Sequence, residues 1–276
     1  MEVGRALMKG TSTIRQSKAL SVLKRCLELP EMRGSSLDSP TTTALRVSII
    51  RRKAFLYRLY SEWYSRFKDA ARFLPDGPKV ELGSGAGFLK DVLADVITSE
   101  VLLLQNIDVV FSGEAMPFAD SALAAIYLLD VFHHIAHPDR FLREATRCLK
   151  GNGRIIMIEP YNTWWGRQVW TRLHHEPFEP EARWDLPGSG PLSNANGALP
   201  WIVFERDRSA FERDFPRLRL LEIKPLMPLA YILSGGVSLR ALLPGFCYPL
   251  CRCAEKFLGP FEHRSGMFAE IHVMRV

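Results

Sequence analysis

The feature that most constrains this chain of 276 residues is a turn with glycines at three alternate positions, Gly83, Gly85 and Gly87. The apolar run at residues 78–82 predicts a strand before the turn, and the spacing at residues 88–96 predicts a helix after it. Glycine lets a ligand approach the backbone closely, and a helix N-terminus leaves N–H groups without partners. A strand, a glycine turn and a helix in this order therefore predict a site for a nucleotide-like ligand.

The residues around the glycines indicate which ligand this is. A dinucleotide-binding turn has Gly or Ala where this chain has Phe88, and a phosphate-binding loop has Gly-Lys-Ser/Thr where it has Phe88-Leu89-Lys90. The chain instead has an acid, Glu81, two residues before Gly83. A carboxylate at this place suits a ligand with an amino group, such as the methionine end of S-adenosylmethionine. The alternative is an ordinary turn between a strand and a helix.

Apolar runs and turns alternate beyond this point. The further elements predicted are strands at residues 107–112, 123–129 and 154–159 and a helix at residues 138–149. Glu100 ends a short apolar run about twenty residues after Glu81, which is where an acid at the tip of the second strand binds ribose hydroxyls. Asp95 and Asp108 are the alternatives for this acid.

Four ordered motifs resemble those of the class I S-adenosylmethionine-dependent methyltransferases. They lie at residues 81–87, 114–120, 131–142 and 148–160 and read Glu-Leu-Gly-Ser-Gly-Ala-Gly, Glu-Ala-Met-Pro-Phe-Ala-Asp, Val-Phe-His-His-Ile-Ala-His-Pro-Asp-Arg-Phe-Leu and Cys-Leu-Lys-Gly-Asn-Gly-Arg-Ile-Ile-Met-Ile-Glu-Pro. The similarity is greatest to the type 11 methyltransferase group and extends over about residues 78–160. It implies an α/β fold with a Rossmann-like, mostly parallel sheet of seven strands, helices on both faces, and S-adenosyl-L-methionine as cofactor.

The resemblance also implies which residues hold the cofactor. Glu81 would bind the methionine amino group, Glu100 the ribose hydroxyls, and the turn of Ser112 and Gly113 would flank adenine. The family usually has Asp at the position of Ser112, where it bonds the adenine amino group, so Ser112 or Glu114 is expected to make that contact. The full expected set is Glu81, Gly83, Ser84, Gly85, Gly87, Glu100, Ser112, Gly113, Glu114 and Asp130. Residues 101–106 are short for the helix that usually follows the second strand.

The chain before the glycine turn divides into a tail and a capping region. Residues 1–40 are expected to be a flexible basic tail, with no acid between Gly4 and Leu27, although a transit peptide has the same composition. Residues 41–77 are expected to cap the cofactor site with a helix, because apolar residues recur at helical spacing over residues 43–73. Eight Arg or Lys residues there, against two acids, indicate either a solvated face or attraction to anionic phosphates.

Two insertions interrupt the expected methyltransferase domain, residues 78–276. The aromatic insertion, residues 161–206, holds five of the six tryptophans and suits a pocket for an organic substrate. The apolar insertion, residues 225–260, lies between the last two strands, predicted at residues 218–224 and 267–275. Its Gly235-Gly236 pair offers a hinge, so it is expected to be a lid or a face that rests on a membrane, in preference to part of the core.

Composition argues against several other classes of protein. No apolar run reaches the length of a membrane span without a break, and nothing resembles a nucleic-acid-binding module, so no nucleic-acid partner is expected. The five cysteines have neither the framework of a secreted scaffold nor a usual zinc spacing, which favours buried thiols in a reducing cytoplasm. No metal is expected at His133, His134 and His137, because methyl transfer from a sulfonium does not require one. The predicted location is cytoplasmic, with peripheral membrane contact as an addition.

These observations predict an S-adenosylmethionine-dependent methyltransferase that acts on a small or lipid-linked organic acceptor, at a hydroxyl group. The sulfonium methyl is already activated, so the protein must hold the acceptor in line and take up its proton. The candidate bases and orienting groups are His133 first, then His134, Tyr161, His174 and His175. The alternatives are a regulatory subunit that binds the cofactor without turnover and a nicotinamide-dependent oxidoreductase, which Phe88 disfavours.

Overall fold

The computed structural model describes residues 25–174, 176–188 and 190–276, and its centre is a sheet of seven strands. In chain order the strands are β1 (Lys79–Leu82), β2 (Val96–Glu100), β3 (Val109–Val110), β4 (Leu123–Leu129), β5 (Leu149–Pro160), β6 (Leu218–Leu226) and β7 (Phe268–Arg275). In space the order is β3-β2-β1-β4-β5-β7-β6, with β1 to β5 parallel and β7 antiparallel to both of its neighbours. The predicted fold class, a Rossmann-like and mostly parallel seven-stranded sheet, is confirmed.

Helices cover both faces of this sheet. They are α1 (Pro40–Arg52), α2 (Ala54–Ala70), α3 (Pro138–Cys148), α4 (Trp164–Leu173), α5 (Leu199–Trp201), α6 (Arg208–Asp214), α7 (Ala230–Ser234), α8 (Tyr248–Phe257) and α9 (Glu262–Ser265). A π-helical turn, Ile202–Arg206, continues α5. Helix α2 packs on one face through Trp63 and Phe67, and α3 packs on the other through Phe141 and Leu142. Because both faces are covered, every residue of β4 is buried.

The helix predicted directly after the glycine turn, at residues 88–96, is wrong. The glycine turn itself contains a short 3₁₀ turn, Ser84–Ala86, and the predicted helix is replaced by a second one, Leu89–Asp91. The reason is Phe88, whose buried ring stacks on Tyr57 with centroids 4.8 Å apart and packs edge-on against Tyr64 at 4.9 Å. Both tyrosines belong to α2, which covers the place on the sheet that the predicted helix would have taken.

The single helix predicted over residues 43–73 is also wrong, because the chain leaves the helical conformation at Lys53. This residue has φ −82° and ψ 91° and separates α1 from α2. Its ammonium group donates hydrogen bonds to the carbonyls of Gly236 and, at 2.7 Å, Leu239. The break between the two helices therefore coincides with a contact to the apolar insertion.

The connection between β2 and β3 lacks the helix that usually follows the second strand in this fold, as the short sequence of residues 101–106 predicts. Residues 101–108, all of which are described, form turns without a helix. Strand β3 has two residues where six were predicted, because it lies at the edge of the sheet and pairs with the last two residues of β2, Ser99 and Glu100. The β3 edge of the sheet, where the sequence analysis expects adenine, is therefore bounded by loops.

The described part of residues 1–40 contacts both insertions. Glu28 forms an isolated β-bridge with Leu239, and Asp38 accepts a hydrogen bond from the backbone N–H of Leu192 at 2.7 Å. The rest of this segment, residues 1–24, lies outside the described residues, and the predicted boundaries of tail, capping region and domain stay predictions. None of the described helices combines the length and the apolar character that crossing a membrane requires.

The Gly235-Gly236 pair that the sequence offers as a hinge forms a packed turn. Gly235 has φ +69°, and a Cβ on it would lie 2.2 Å from the carbonyl oxygen of Arg240. The insertion around it is partly core, because Met227 and Tyr248 are buried in the same hydrophobic cluster as α2. One side of the apolar insertion therefore completes the core on the α2 face of the sheet.

Candidate active site

A cleft of about 380 Å³ opens at the carboxyl ends of β1, β2 and β4. Nine of the ten predicted cofactor residues line it, namely Glu81, Gly83, Gly85, Gly87, Glu100, Ser112, Gly113, Glu114 and Asp130. The tenth, Ser84, is buried behind the turn, where its hydroxyl donates to the Glu81 carbonyl at 3.1 Å and accepts from the Ser99 N–H at 3.3 Å. Ser84 therefore braces β1 against β2.

Glycine is required at two positions of the turn. Gly83 has φ +64°, and a Cβ on it would lie 2.5 Å from the side chain of Val131. A Cβ on Gly85 would lie 2.6 Å from Glu100 Oε2 and 2.8 Å from the Thr43 methyl group. The same close approach lets the Gly85 N–H donate to Glu100 Oε2 at 3.2 Å. The turn thus brings backbone, an acid and α1 together at the floor of the cleft.

Three polar atoms of the cleft are buried and have no hydrogen-bond partner within the described chain. They are Thr43 Oγ1 and Arg46 Nε of α1, and Glu81 Oε2 of β1. A buried polar group without a partner costs about 1–3 kcal/mol, so all three are suited to a polar ligand that carries both a positive and a negative group. Arg46 was predicted on a basic helix face and not as a site residue, because nothing in the sequence distinguishes it from its exposed neighbours.

The acids of the cleft have perturbed pKa values. Burial raises the pKa of Glu81 to about 7, with the neighbouring Glu100 charge acting in the same direction. Burial also raises the pKa of Glu100, whose Oε1 accepts from the Val101 N–H at 2.8 Å. Asp130, directly after β4, has φ +61°, and burial raises its pKa to about 7. The cleft is therefore prepared for a ligand that brings positive charge or hydroxyl donors.

The alternatives for the ribose acid lie elsewhere. Asp108 forms an ion pair with Lys90 at 2.6 Å and accepts from Thr98, and Asp95 pairs with Lys79. Neither residue lines the cleft. Glu100 is thus the one of the three predicted acids that reaches the cleft.

On the adenine side, both predicted contacts line the cleft but already have protein partners. Ser112 Oγ accepts from the Glu114 N–H at 3.2 Å, and Glu114 Oε1 accepts from the His137 N–H at 2.9 Å. The Ser112 hydroxyl keeps its own hydrogen for donation, so it can still serve a ligand.

The predicted catalytic residues separate into two groups. His134 and His174 line the cleft, whereas His133 and Tyr161 do not. Tyr161 is buried and donates its hydroxyl hydrogen to Glu205. His175 lies outside the described residues.

Glu176, which the sequence did not single out for catalysis, joins the histidines. Its Oε2 lies 3.3 Å from His133 Nε2 and 3.7 Å from His174 Nδ1, and its Oε1 lies 3.9 Å from His134 Nε2. Glu176 directly follows two histidines in the sequence, and this pattern could have indicated it as a candidate site residue. We call His133, His134, His174 and Glu176 the imidazole–carboxylate cluster.

Charge within this cluster is set by burial and by the acids around it. Burial opposes the charged form of His133, but Glu159 and Glu176 outweigh it and raise the His133 pKa. Burial and the charge of His133 lower the pKa of His134 to about 3, which keeps that imidazole neutral. Burial would raise the pKa of Glu176, but the neighbouring imidazoles hold it well below the ordinary value. A neutral imidazole and a carboxylate therefore face the cleft together.

A second cavity, of about 670 Å³, adjoins the cleft and shares His174, Tyr231 and Val237 with it. Its walls are mainly apolar side chains of α4, of the apolar insertion and of the segment before α1, including Met32, Leu37, Val169, Trp170, Leu173, Ile232, Leu239, Leu242 and Met267. Of the tryptophans in the aromatic insertion, Trp170 alone lines it, whereas Trp164 is 71% exposed. A cleft with polar walls and a mainly apolar cavity therefore lie side by side, with these three residues between them.

The sheet order and the acid-lined glycine cleft at the ends of its central strands define a class I, Rossmann-like methyltransferase. The sequence supports the same class, because residues 80–157 match the family described as a methyltransferase domain. Residues 80–157 are thus similar to that family, and the class is that of the methyltransferases that use S-adenosylmethionine. A search of the curated proteins gave no match.

Solved structures with similar folds include several methyltransferases. Geranyl diphosphate C-methyltransferase from Streptomyces coelicolor A3(2), solved with Mg²⁺, geranyl diphosphate and S-adenosyl-L-homocysteine, is 17% identical, with 80% of this chain and 81% of that chain covered and a TM-score of 0.46. A geranyl diphosphate methyltransferase in complex with SAM is 15% identical, with coverage of 84% and 90% and a TM-score of 0.48. A SAM-dependent methyltransferase from Thermotoga maritima is 17% identical, with coverage of 83% and 99% and a TM-score of 0.45.

Proposed function

We propose that this methyltransferase methylates an oxygen atom of an elongated, lipid-like acceptor whose apolar part lies in the second cavity. The observation that carries the proposal is the junction at His174, Tyr231 and Val237, the three residues that line both the cleft and the apolar cavity. A small polar acceptor would not require some 670 Å³ of mainly apolar space beside the cleft. Among the acceptor classes predicted from the sequence, the lipid-linked one is therefore favoured.

The amino-acid end of the cofactor fits the three unpartnered atoms. Glu81 Oε2 suits the ammonium group, and Arg46 with Thr43 suits the carboxylate, because opposite charges then meet at each end. Glu100 accepts from the ribose hydroxyls, and the second lone pair of Ser112 Oγ accepts from the adenine amino group. When bound, S-adenosylmethionine supplies a methyl group that is already activated for transfer.

The chemistry at the junction follows from the imidazole–carboxylate cluster. Tyr231 and Val237 exclude water beside the acceptor, and the cluster places Glu176 and neutral His134 against its oxygen. The O–CH₃ bond forms as the S–CH₃ bond breaks, S-adenosylhomocysteine leaves, and the hydroxyl proton passes through Glu176 and His134 to solvent, because the low pKa values of these two groups do not retain it. His133 and Glu159 act behind the cluster as positioning residues.

Access for such an acceptor is available at the far end of the second cavity. Leu242 lines the cavity and is 47% exposed, and exposed Arg25 and Arg240 also line it. Beyond Leu242 the apolar insertion carries the exposed apolar side chains of Phe246, Leu250 and Phe257, and exposed Phe261 directly follows the insertion. Apolar side chains beside cationic ones suit the surface of an anionic membrane, so we propose that the acceptor enters from a lipid bilayer.

The experiment compares acceptors of equal head group and different chain length. Purified protein is incubated with methyl-labelled S-adenosylmethionine and either a long-chain polyprenol in detergent micelles or a short water-soluble alcohol. Labelled methyl ether should form from the polyprenol alone. Val237→Trp, which fills the junction, should abolish this product while S-adenosylhomocysteine still binds, and Leu221→Trp on exposed β6 should leave both unchanged. Methylation of the short alcohol with undiminished rate in Val237→Trp would disprove the proposal.

A further inference from the structure

The imidazole–carboxylate cluster has the donor set of a metal site, although the sequence analysis expected no metal at His133 and His134. One ring nitrogen of His133, one ring nitrogen of His134 and a carboxylate oxygen of Glu176 all lie within 4.8 Å of one another. His174 Nδ1 approaches the same carboxylate to 3.7 Å. We propose that this cluster binds a divalent first-row transition metal, with Zn²⁺ as the reference ion, at the junction of the two cavities.

The atoms behind the first two ligands are arranged as they are around metal-binding histidines. His133 Nδ1 lies 2.7 Å from Glu159 Oε2, and His134 Nδ1 lies 3.3 Å from the carbonyl oxygen of Asn194. Both acceptors hold the proton on Nδ1, so a metal would bind at Nε2 and, on His133, would displace the proton that this nitrogen carries without a metal. A ligand histidine typically donates its other N–H to a carboxylate or a carbonyl in this way.

An independent observation points to an ion at the same place. His133 is fully buried, and its Nε2 makes no aligned hydrogen bond within the described chain although Glu176 Oε2 is 3.3 Å away. Such an atom is costly unless something else satisfies it. A cation between His133, His134 and Glu176 would give His133 Nε2 the partner that it lacks.

A second group of donors, formed by Asp130, His133 and Glu159, is less suitable. Glu159 is fully buried, and its Oε1 accepts from the N–H groups of Val131 at 2.8 Å and Phe132 at 2.7 Å while Oε2 is bonded to His133. With both oxygens engaged, Glu159 is suited to orient His133. The metal is therefore assigned to the side of the ring that faces Glu176.

The donor types limit which metals fit. Imidazole nitrogens with one carboxylate suit Zn²⁺, Fe²⁺, Co²⁺ or Ni²⁺, whereas Mg²⁺ and Ca²⁺ favour sites made of oxygen ligands. An ion at the junction would also contact the acceptor oxygen and lower the pKa of its hydroxyl, so that the proton would be lost to solvent without uptake by the cluster. This last step rests on the proposed function, but metal binding itself does not require an acceptor.

The test measures metal binding by the full-length protein. Protein freed of metal with a chelator is titrated calorimetrically with Zn²⁺, and a Co²⁺ titration is followed by visible absorption. One equivalent should bind. Glu176→Gln and His134→Ala should each weaken binding at least tenfold, and Glu159→Gln by roughly 10–100-fold through His133. His263→Ala, which removes an exposed histidine of α9, should have no effect.

Binding of S-adenosylhomocysteine to each variant shows that it is folded, and near-isosteric Glu176→Gln keeps the test valid if His134→Ala unfolds. Three results would overturn the metal site: no Zn²⁺ or Co²⁺ binding by protein that binds S-adenosylhomocysteine, Zn²⁺ binding that Glu176→Gln does not change, or Mg²⁺ binding in preference to Zn²⁺. Zn²⁺ binding as expected, without methylation of any long-chain alcohol, would support the metal site and count against the proposed acceptor.

Discussion

Replacement of Glu81 by Gln should have opposite effects on cofactor binding and on protein stability. The carboxyl is buried, and its pKa of about 7 lies above the ordinary 4.5 because burial disfavours the charge and Glu100 is near. A folded-state pKa above the unfolded one means that this group stabilises the fold most fully below pH 4.5, and the stabilisation is lost as pH rises to 7. The loss reaches on the order of 3 kcal/mol at pH 8. Glu81→Gln avoids it, so the ligand-free variant should melt at a higher temperature than wild type at pH 8.

The cofactor should show the reverse dependence, because its ammonium group needs an ionised Glu81. At pH 7 the variant loses a charged hydrogen bond of about 1.5–3 kcal/mol, which corresponds to roughly 10–100-fold in affinity for S-adenosylhomocysteine. Below pH 7 the ionised fraction of Glu81 falls about tenfold per unit, so wild-type affinity should drop by roughly 40–50-fold between pH 7 and pH 5. The variant lacks this titration, and the two proteins should approach each other in affinity at pH 5.

Calorimetric titration of both proteins with S-adenosylhomocysteine at pH 5, 6, 7 and 8, with thermal melts at the same values, checks the reasoning. Asp130, whose pKa is also about 7, lines the same cleft and titrates in both proteins. Tyr64 and Glu100 also lie beside Glu81 and are unchanged in the variant. The ratio of the two dissociation constants therefore isolates Glu81. A ratio that stays constant from pH 5 to pH 8 would refute the argument.

Three further variants test other parts of the site. Glu100→Gln should weaken S-adenosylhomocysteine binding by roughly tenfold or more in calorimetry, because a charged bond to ribose is lost, whereas Asp108→Asn should change it less than twofold. Arg46→Met should weaken S-adenosylhomocysteine binding by a similar factor, because Arg46 is proposed to bind the carboxylate of the ligand. Arg51→Met, which removes an exposed ion pair, should leave the affinity unchanged. Equal effects of the two variants would argue against a contact between Arg46 and the ligand. Phe246→Ser should reduce co-sedimentation with anionic liposomes several-fold without lowering the melting temperature, and failure of wild type to pellet at low or high salt would defeat the membrane contact.

The parts of the site that are local in sequence could be predicted. Glu81 and the glycines lie within one strand end and its turn, and Glu100 ends the neighbouring parallel strand, so the sheet brings them to one edge whatever surrounds it. The strands themselves have apolar runs long enough to recognise, and β4 was predicted with its observed bounds. Local pattern and sheet geometry therefore determine the cofactor floor.

The parts that depend on distant contacts could not be predicted. Arg46 has the sequence environment of a solvated helix face, and its burial in the cleft results from the way α1 packs over the glycine turn. His134 and Glu176 are on different segments, and the aromatic insertion must fold back before they meet. The spacing at residues 88–96 does suit a helix, but the packing of Phe88 on α2 outweighs that local preference. In each case tertiary packing decided what the local pattern left open.

The packing of α2 explains both why no helix follows β1 and how the second cavity forms. Because α2 covers the face beside the glycine turn, α7 and α8 of the apolar insertion pack against α2 in turn. Lys53, at the start of α2, fixes the loop of Gly236 and Leu239, two residues that line the second cavity. The segment before α1 closes the same cavity through the bridge of Glu28 to Leu239. The elements outside residues 80–157 thus form the second cavity. Residues 80–157 therefore indicate the chemistry, and the rest of the chain is expected to select the acceptor.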